Sequence, residues 1–396
     1  MARRCLALRQ GSALDPILLG RFAPNGAAAR MARSAPNEWD QRASRPFAGS
    51  RGSAPGLLTR QGSVAWAVLA VVLLAPPARA ATLEVGPGRP YARPSAAAEV
   101  ARDGDVVAID PGEYYDCAIW TQSHLTIAGS GPGVVITDTT CQGKALFITR
   151  GDDITVRNIT FARARVADRN GAGIRAEGDR LTVQSSRFVN NENGLLEGDR
   201  PGSTLAILDC EFIANGVADI TTPSPALSVG AIAALRVEGS RFLASRGGAH
   251  ILSGAARSEL VGNRIEDGEQ GVRDALVVLA NGGSLLMEDN LLRRAPSGAR
   301  FNAAVHVVAG DRSVLELRRN TFINVSGRPA ALLLDWSGGT VDFAGNVLAA
   351  GDVERSTEGA WRARAIVAAR ALYAEARHGA GGLLRMLRAI TGREDR

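Results

Sequence analysis

The chain has 396 residues, 45% of them hydrophobic, and a formal charge of +6. Residues 1–80 carry eleven Arg against three acids and residues 352–396 nine against six, so taking +8 and +3 from +6 leaves −5 for the stretch between. That balance excludes an extended basic surface for nucleic acid over the middle of the chain, and no Cys/His spacing matches a zinc site.

Residues 1–60 hold ten Arg among many Ala, Gly, Pro and Ser, with no apolar period. They read as a disordered leader, or as residues ahead of a later true start such as Met31. Residues 61–80 contain the apolar run AWAVLAVVLLA (65–75), with Arg60 before it and PPARA after it. Ala78-Arg79-Ala80 fits a signal-peptidase site with cleavage before Ala81. The run is shorter than the ~20 residues of a membrane span. This predicts an exported protein, periplasmic or secreted.

The segment SAAAEVARDGDVVAIDPGEYYD (95–116) reads as a short helix, a strand and a turn at Pro111-Gly112. Cys117 and Cys141 follow, 24 residues apart, close to the period of the repeats described next. Equivalent residues on stacked neighbours lie near the ~5 Å that a disulfide needs. A bridge is therefore expected in an exported protein, with two buried thiols as the alternative. Cys210 reads as a packed free thiol.

From residue 154 a short phrase recurs eight times: ITVRNITF (154–161), LTVQSSRF (181–188), LAILDCEF (205–212), LRVEGSRF (235–242), ELVGNRI (259–265), LLMEDNLL (285–292), LELRRNTF (315–322) and VDFAGNVL (341–348). Its closing residues are Phe161, Phe188, Phe212, Phe242, Ile265, Leu292, Phe322 and Leu348, spaced by 23 to 30 residues. Period-2 alternation marks strands with one buried face. Two before each closing residue stands Ile159, Ser186, Cys210, Ser240, Asn263, Asn290, Asn320 or Asn346. Asn is expected there if that residue turns through a left-handed conformation and bonds a neighbour's backbone. A second strand ending at Gly follows most copies, as in GIRAEG (173–178) and AHILSG (249–254). Such units are too short for a propeller blade of ~40 residues. They stack instead as a parallel β-helix.

Together with these repeats, Gly104, Asp105, Val107, Ile109, Pro111, Gly112 and Tyr114 make residues 83–350 resemble the right-handed parallel β-helix proteins of the pectate-lyase-like superfamily. The expected fold is all-β: a right-handed parallel β-helix solenoid of about ten coils over residues 81–351, with an N-terminal capping helix and a short helical, basic C-terminal tail over 352–396. The resemblance implies chemistry on acidic polysaccharides in a groove outside one sheet. There a base removes a proton beside a sugar carboxylate, and a cation or Arg neutralises that carboxylate.

Three residues are candidates for catalysis. His250 and His306 each stand four residues before the Gly that ends their strand, two coils apart, and Arg273 leads into the strand between. Asp219, Asp274 and Trp336 are candidates for binding substrate. Glu177, Asp179, Glu197, Asp199 and Asp219 form an acidic series that suits Ca²⁺; no other cofactor and no resident metal site is expected. Lys144 is the only Lys. The Asp-Pro-His-Asp motif of similar epimerases is absent, since Asp110-Pro111 runs on into Gly112-Glu113. The clustered Asp motifs of pectin hydrolases are absent too. The sequence therefore favours a solenoid that binds an acidic polysaccharide or cell-envelope glycan, with a polysaccharide lyase or uronate epimerase as the alternative.

In the tail, Trp361, Ala365, Ala368 and Leu372 form one helical stripe, and Leu383, Met386, Leu387 and Ile390 another, separated by GAGG (379–382). Such helices shield the last coil or drift free; an Arg-rich amphipathic segment also suits a membrane surface.

Overall fold

The computed structural model describes residues 80–218, 224–269, 271–272, 274–296, 302–308 and 313–360. Residues 1–79, where a leader and a signal peptide are expected, and tail residues 361–396 lie outside these, as do Asp219 and Arg273.

The described chain winds through three parallel sheets in turn. Sheet 1 has eleven strands, from Thr82–Val85 to Thr340–Ala344, and sheet 2 has ten, from Gly112–Tyr114 to Val347–Leu348. Sheet 3 also has ten, from Ala118–Trp120 to Val353–Ser356. In each sheet the neighbours are strands from successive coils, which is the topology of a parallel β-helix. A five-residue helix, Pro94–Ala98, lies near the start and buries Pro94, Ala97 and Ala98. The final strand, Val353–Ser356, pairs with Ala331–Asp335, so the solenoid runs past residue 351 and takes in the first residues assigned to the tail.

Inward side chains stack into columns. The closing residues of the repeat are one column of sheet 2, in register from Phe161 through Phe188, Phe212 and Phe242 to Ile265, Leu292, Phe322 and Leu348. Ring centroids of Phe188 and Phe212 are 4.6 Å apart, and those of Phe212 and Phe242 are 4.5 Å apart. That matches the strand spacing of ~4.7–4.9 Å, so the stack costs the backbone nothing.

The polar ladder lines the corner between sheets 1 and 2. Asn263 Nδ2 donates to Asn290 Oδ1 at 3.0 Å, Asn290 Nδ2 to Asn320 Oδ1 at 2.9 Å, and Asn320 Nδ2 to Asn346 Oδ1 at 3.1 Å. The left-handed residue is not the ladder residue but the one before it: Asn158, Ser185, Asp209, Gly239, Gly262, Asp289, Arg319 and Gly345 have φ between 48° and 66°. The corner needs one residue to reverse the chain and the next to satisfy the amides that the reversal exposes. A second ladder, unmarked by the repeat, lies between sheets 2 and 3. There Asn191 Oδ1 accepts from Ala164 N, and Asn215 Oδ1 accepts from Asn191 N.

Cys117 and Cys141 are joined by a disulfide with Cα atoms 5.4 Å apart. Cys210 is a buried free thiol, and burial pushes it up to about 12.

Candidate functional site

From Ala145–Thr149 to Ala331–Asp335 most strands of sheet 3 share one pattern: a small residue facing out, two residues facing in, then a residue facing out. The inward row is Phe147, Ile174, Leu195, Leu227, Ile251, Val277, Val305 and Leu333, all in the core. The next residue in each strand points the other way. The outward row is therefore Ile119, Ile148, Arg175, Leu196, Ser228, Leu252, Val278, His306, Leu334 and Ser356.

This register separates the two histidines. His306 lies opposite Val278 and hence in line with Leu252, not with His250. His250 aligns with Leu276, Ala304 and Leu332, a column that lines the core at the strand entry. It is fully buried, with Nδ1 2.8 Å from Ser245 Oγ and Nε2 3.2 Å from Asp267 Oδ1. Asp267 also accepts from Val272 N and Ala295 N and lies 3.6 Å from the buried Arg294 guanidinium. Ser245, His250, Asp267 and Arg294 are all buried, so they knit the corner from inside, beyond reach of a groove. An outer His–Arg–His stripe is thus not formed. Counting from the terminal Gly misled because the loops differ, whereas strand pairing fixes the register.

The remaining candidates are placed as follows. Asp274 is half-buried, its N–H donating to Gly248 O. Trp336 faces out beside His306, ring centroids 4.3 Å apart, and its Nε1 donates to Glu358 O at 2.7 Å, so the ring is packed rather than presented as a sugar platform. The acidic series is dispersed. Glu177 binds Lys144 Nζ at 2.7 Å and Arg150 Nε at 2.9 Å; Asp179 pairs with Arg200; Asp199 accepts from Ala231 N. Glu197 faces inward against Ser203 Oγ, and burial pushes its carboxyl up.

A cleft opens where sheet 3 turns into sheet 1. Three successive coils supply it: Arg150 after Ala145–Thr149, Arg175 and Glu177 from and after Ala172–Ala176, and Gly198 and Arg200 after Asn193–Glu197. Its volume is about 410 Å³. Three guanidinium groups line it against one carboxylate. Burial alone would push Glu177 up, but Lys144 and Arg150 outweigh it and hold the carboxyl below its usual range. Arg175 differs from its neighbours. Burial pushes its guanidinium down, and Glu177 and Asp168 only partly offset this; its buried Nε, like that of Arg200, has no hydrogen-bond partner. A second hollow of about 680 Å³ adjoins at Arg200 and is lined by Asp152, Asp179, Asp199 and Arg180. The corner thus offers guanidinium donors beside carboxylate acceptors. The sequence marked Lys144, Glu177, Asp179 and Asp199 but not Arg150, Arg175 or Arg200, because an Arg between apolar strand residues, as at 175, or at a turn, as at 150 and 200, looks like any solvated side chain.

Residues 115–265 match the family described as a right handed beta helix region. No curated protein sequence matches the chain. Among solved structures, pectate lyase Pel9A is similar at 12% identity and a TM-score of 0.44, over 66% of this chain and 74% of that one. A pectin methylesterase from carrot is similar at 13% identity and 0.39, over 72% and 90%. An alginate lyase from Paenibacillus sp. is similar at 13% identity and 0.34, over 70% and 98%. The chain has a right-handed parallel β-helix fold, and a fold of this kind does not by itself fix an activity.

Proposed function

We propose that this protein is an exported solenoid that binds an acidic polysaccharide at the sheet 3–sheet 1 corner, with a sugar carboxylate seated on Arg175. The observation that carries the reading is the Arg175 guanidinium. It is half-buried between Arg150 and Arg200, and its Nε lacks a partner. A buried donor without a partner is costly, and a carboxylate supplies two acceptors in the geometry of the guanidinium fork. Carboxylates in the adjoining hollow suit sugar hydroxyls as donors. Export rests on the segment at 61–80 and accords with the Cys117–Cys141 bridge, since disulfides persist in oxidising compartments.

Calorimetric titration with oligouronates and a neutral oligoglucan of equal length tests this. Saturable binding of the uronates alone is expected, weakened about tenfold or more in Arg175→Ala. Equal binding of the neutral chain, or an unchanged affinity in Arg175→Ala, overturns the reading.

A further inference from the structure

The corner between sheets 2 and 3 brings two arginines together without a carboxylate. Strand register places them. The left-handed residues Arg163, Asn190, Ala214 and Ala244 each follow a Phe of the closing column by two positions and so stand in one line along the solenoid. Two residues further on, the line reads Arg165, Glu192, Gly216 and Arg246. Arg165 and Arg246 are exposed and three coils apart, yet both reach the coil of Asn190. Arg165 Nη2 donates to Asn190 Oδ1 at 2.8 Å, and its Nη1 donates to Asn190 O at 2.6 Å and to Ala164 O at 2.8 Å. Arg246 Nη2 donates to the same Oδ1. Two full positive charges thus share one neutral oxygen.

The carboxylates nearby are committed elsewhere. Glu192 is buried, and its Oε2 accepts from Val166 N at 3.0 Å and Gly171 N at 2.9 Å. Asp138 is held by Arg163, through Nε at 3.0 Å and Nη2 at 2.8 Å. Among the described residues neither Arg165 nor Arg246 makes an ion pair, whereas Arg187 and Arg241 share Glu211 and Arg319 takes Asp289. A guanidinium has five N–H donors. Arg246 spends one of them on the protein and Arg165 three. Burial and the charge of Arg165 both push the Arg246 guanidinium down. The coil that Arg246 crosses to reach Asn190 carries only Ala214 and Gly216 on these two lines, so no large side chain fills the space beside the pair.

We propose that Arg165, Arg246 and Asn190 form a second anion site, one that takes the tetrahedral oxyanion of a sulfate or phosphate ester on a glycan. Such a group offers three acceptor oxygens out of one plane, which two guanidinium forks from separate coils can share. A carboxylate offers two oxygens in one plane and suits a single fork such as Arg175. The Asn190 amide, turned over, presents Nδ2 where Oδ1 now lies and becomes a further donor. The site stands at the entry to the sheet 3 strands, the opposite edge from the Arg175 cleft, and does not depend on what binds there.

Titration calorimetry with glucose 6-sulfate and glucose 6-phosphate tests the site. At least one ester is expected to bind saturably, the tighter of the two naming the source, and excess glucuronate is expected not to displace it. Arg246 touches the protein through one hydrogen bond, so Arg246→Gln is expected to keep the parent's urea midpoint. Its affinity for the ester is expected to fall about tenfold or more. Arg175→Ala is expected to bind the ester as the parent does, so the two sites stand or fall separately. No saturable binding of either ester, displacement by glucuronate, an unchanged affinity in Arg246→Gln, or a lost affinity in Arg175→Ala overturns the proposal.

Discussion

Asp335 shows how single residues hold the corners. Its side chain is buried at the end of the last long strand of sheet 3. Burial pushes its carboxyl up, but Ser337 Oγ and N donate to it at 2.6 and 2.8 Å, and Arg355 pairs with it, so the net effect holds it below its usual range. A carboxyl depressed by folding stabilises the native state fully above its unfolded pKa of about 3.9 and loses that contribution as pH falls through the folded value. Asp335→Asn is therefore expected to lower the urea midpoint at neutral pH. The gap from the parent should close below about pH 4. A gap that stays constant with pH would show that packing, not ionisation, makes the difference. At this scale the sequence was legible where chemistry repeats and opaque where it does not. The Asn at 263, 290, 320 and 346 announced a ladder because each copy must satisfy the same exposed amides. Ser245, His250, Asp267 and Arg294 form a network used once, and nothing in the period points to it. The loop between sheets 2 and 3 decides where His250 enters, and loop length escapes a reading based on strand patterns.

At the level of strands, volume is exchanged between columns. Where Phe161, Phe188 and Phe212 fill the interior from sheet 2, the core-facing corner positions of sheet 3 are Gly173 and Gly194. A Cβ on Gly194 would lie 2.6 Å from the Phe212 ring, and one on Gly173 2.8 Å from that of Phe188. In the coil that closes at Ile265, the same position is Leu276. The Phe column is thus matched by a glycine twelve residues after Phe161 and six after Phe188, a pairing visible in the sequence only once the register is known. Phe212→Ala removes a ring stacked on both sides and leaves a cavity that coils locked in a sheet cannot close. The expected loss is about 3–5 kcal/mol, measured by urea unfolding. A loss below about 1 kcal/mol would mean that the column relaxes to fill the gap. The phrase marked sheets 1 and 2 well, since their strands alternate cleanly. Sheet 3 was visible as strands but not as faces, because its outer row is itself apolar over four coils and so hides which side is inside.

Over the whole solenoid, each coil touches only its neighbours, so stability is a sum of local terms and unfolding can begin at whichever end is weaker. The two ends differ. The first coils are tied by Cys117–Cys141, which closes a loop of 24 residues and contributes roughly 3–4 kcal/mol in the chain-entropy picture. At the other end, Thr340–Ala344 has only one neighbouring strand and no fully buried residue, and Val347 and Val353 are exposed. A structure of this kind should open from its C-terminal end. Amides of Thr340–Ala344 and Val347–Leu348 are expected to exchange with deuterium well before those of Arg180–Gln184 or Ala145–Thr149. Reduction of the disulfide should then raise exchange in Ala118–Trp120 and Ala145–Thr149 while leaving the C-terminal strands at their former rate. Exchange at one common rate along the chain, before and after reduction, would mean that the coils unfold as a single cooperative unit and that neither end is privileged. The Arg175 cleft lies between these ends, on coils that have neighbours on both sides in all three sheets. The corner proposed above for binding therefore keeps its shape while either end frays.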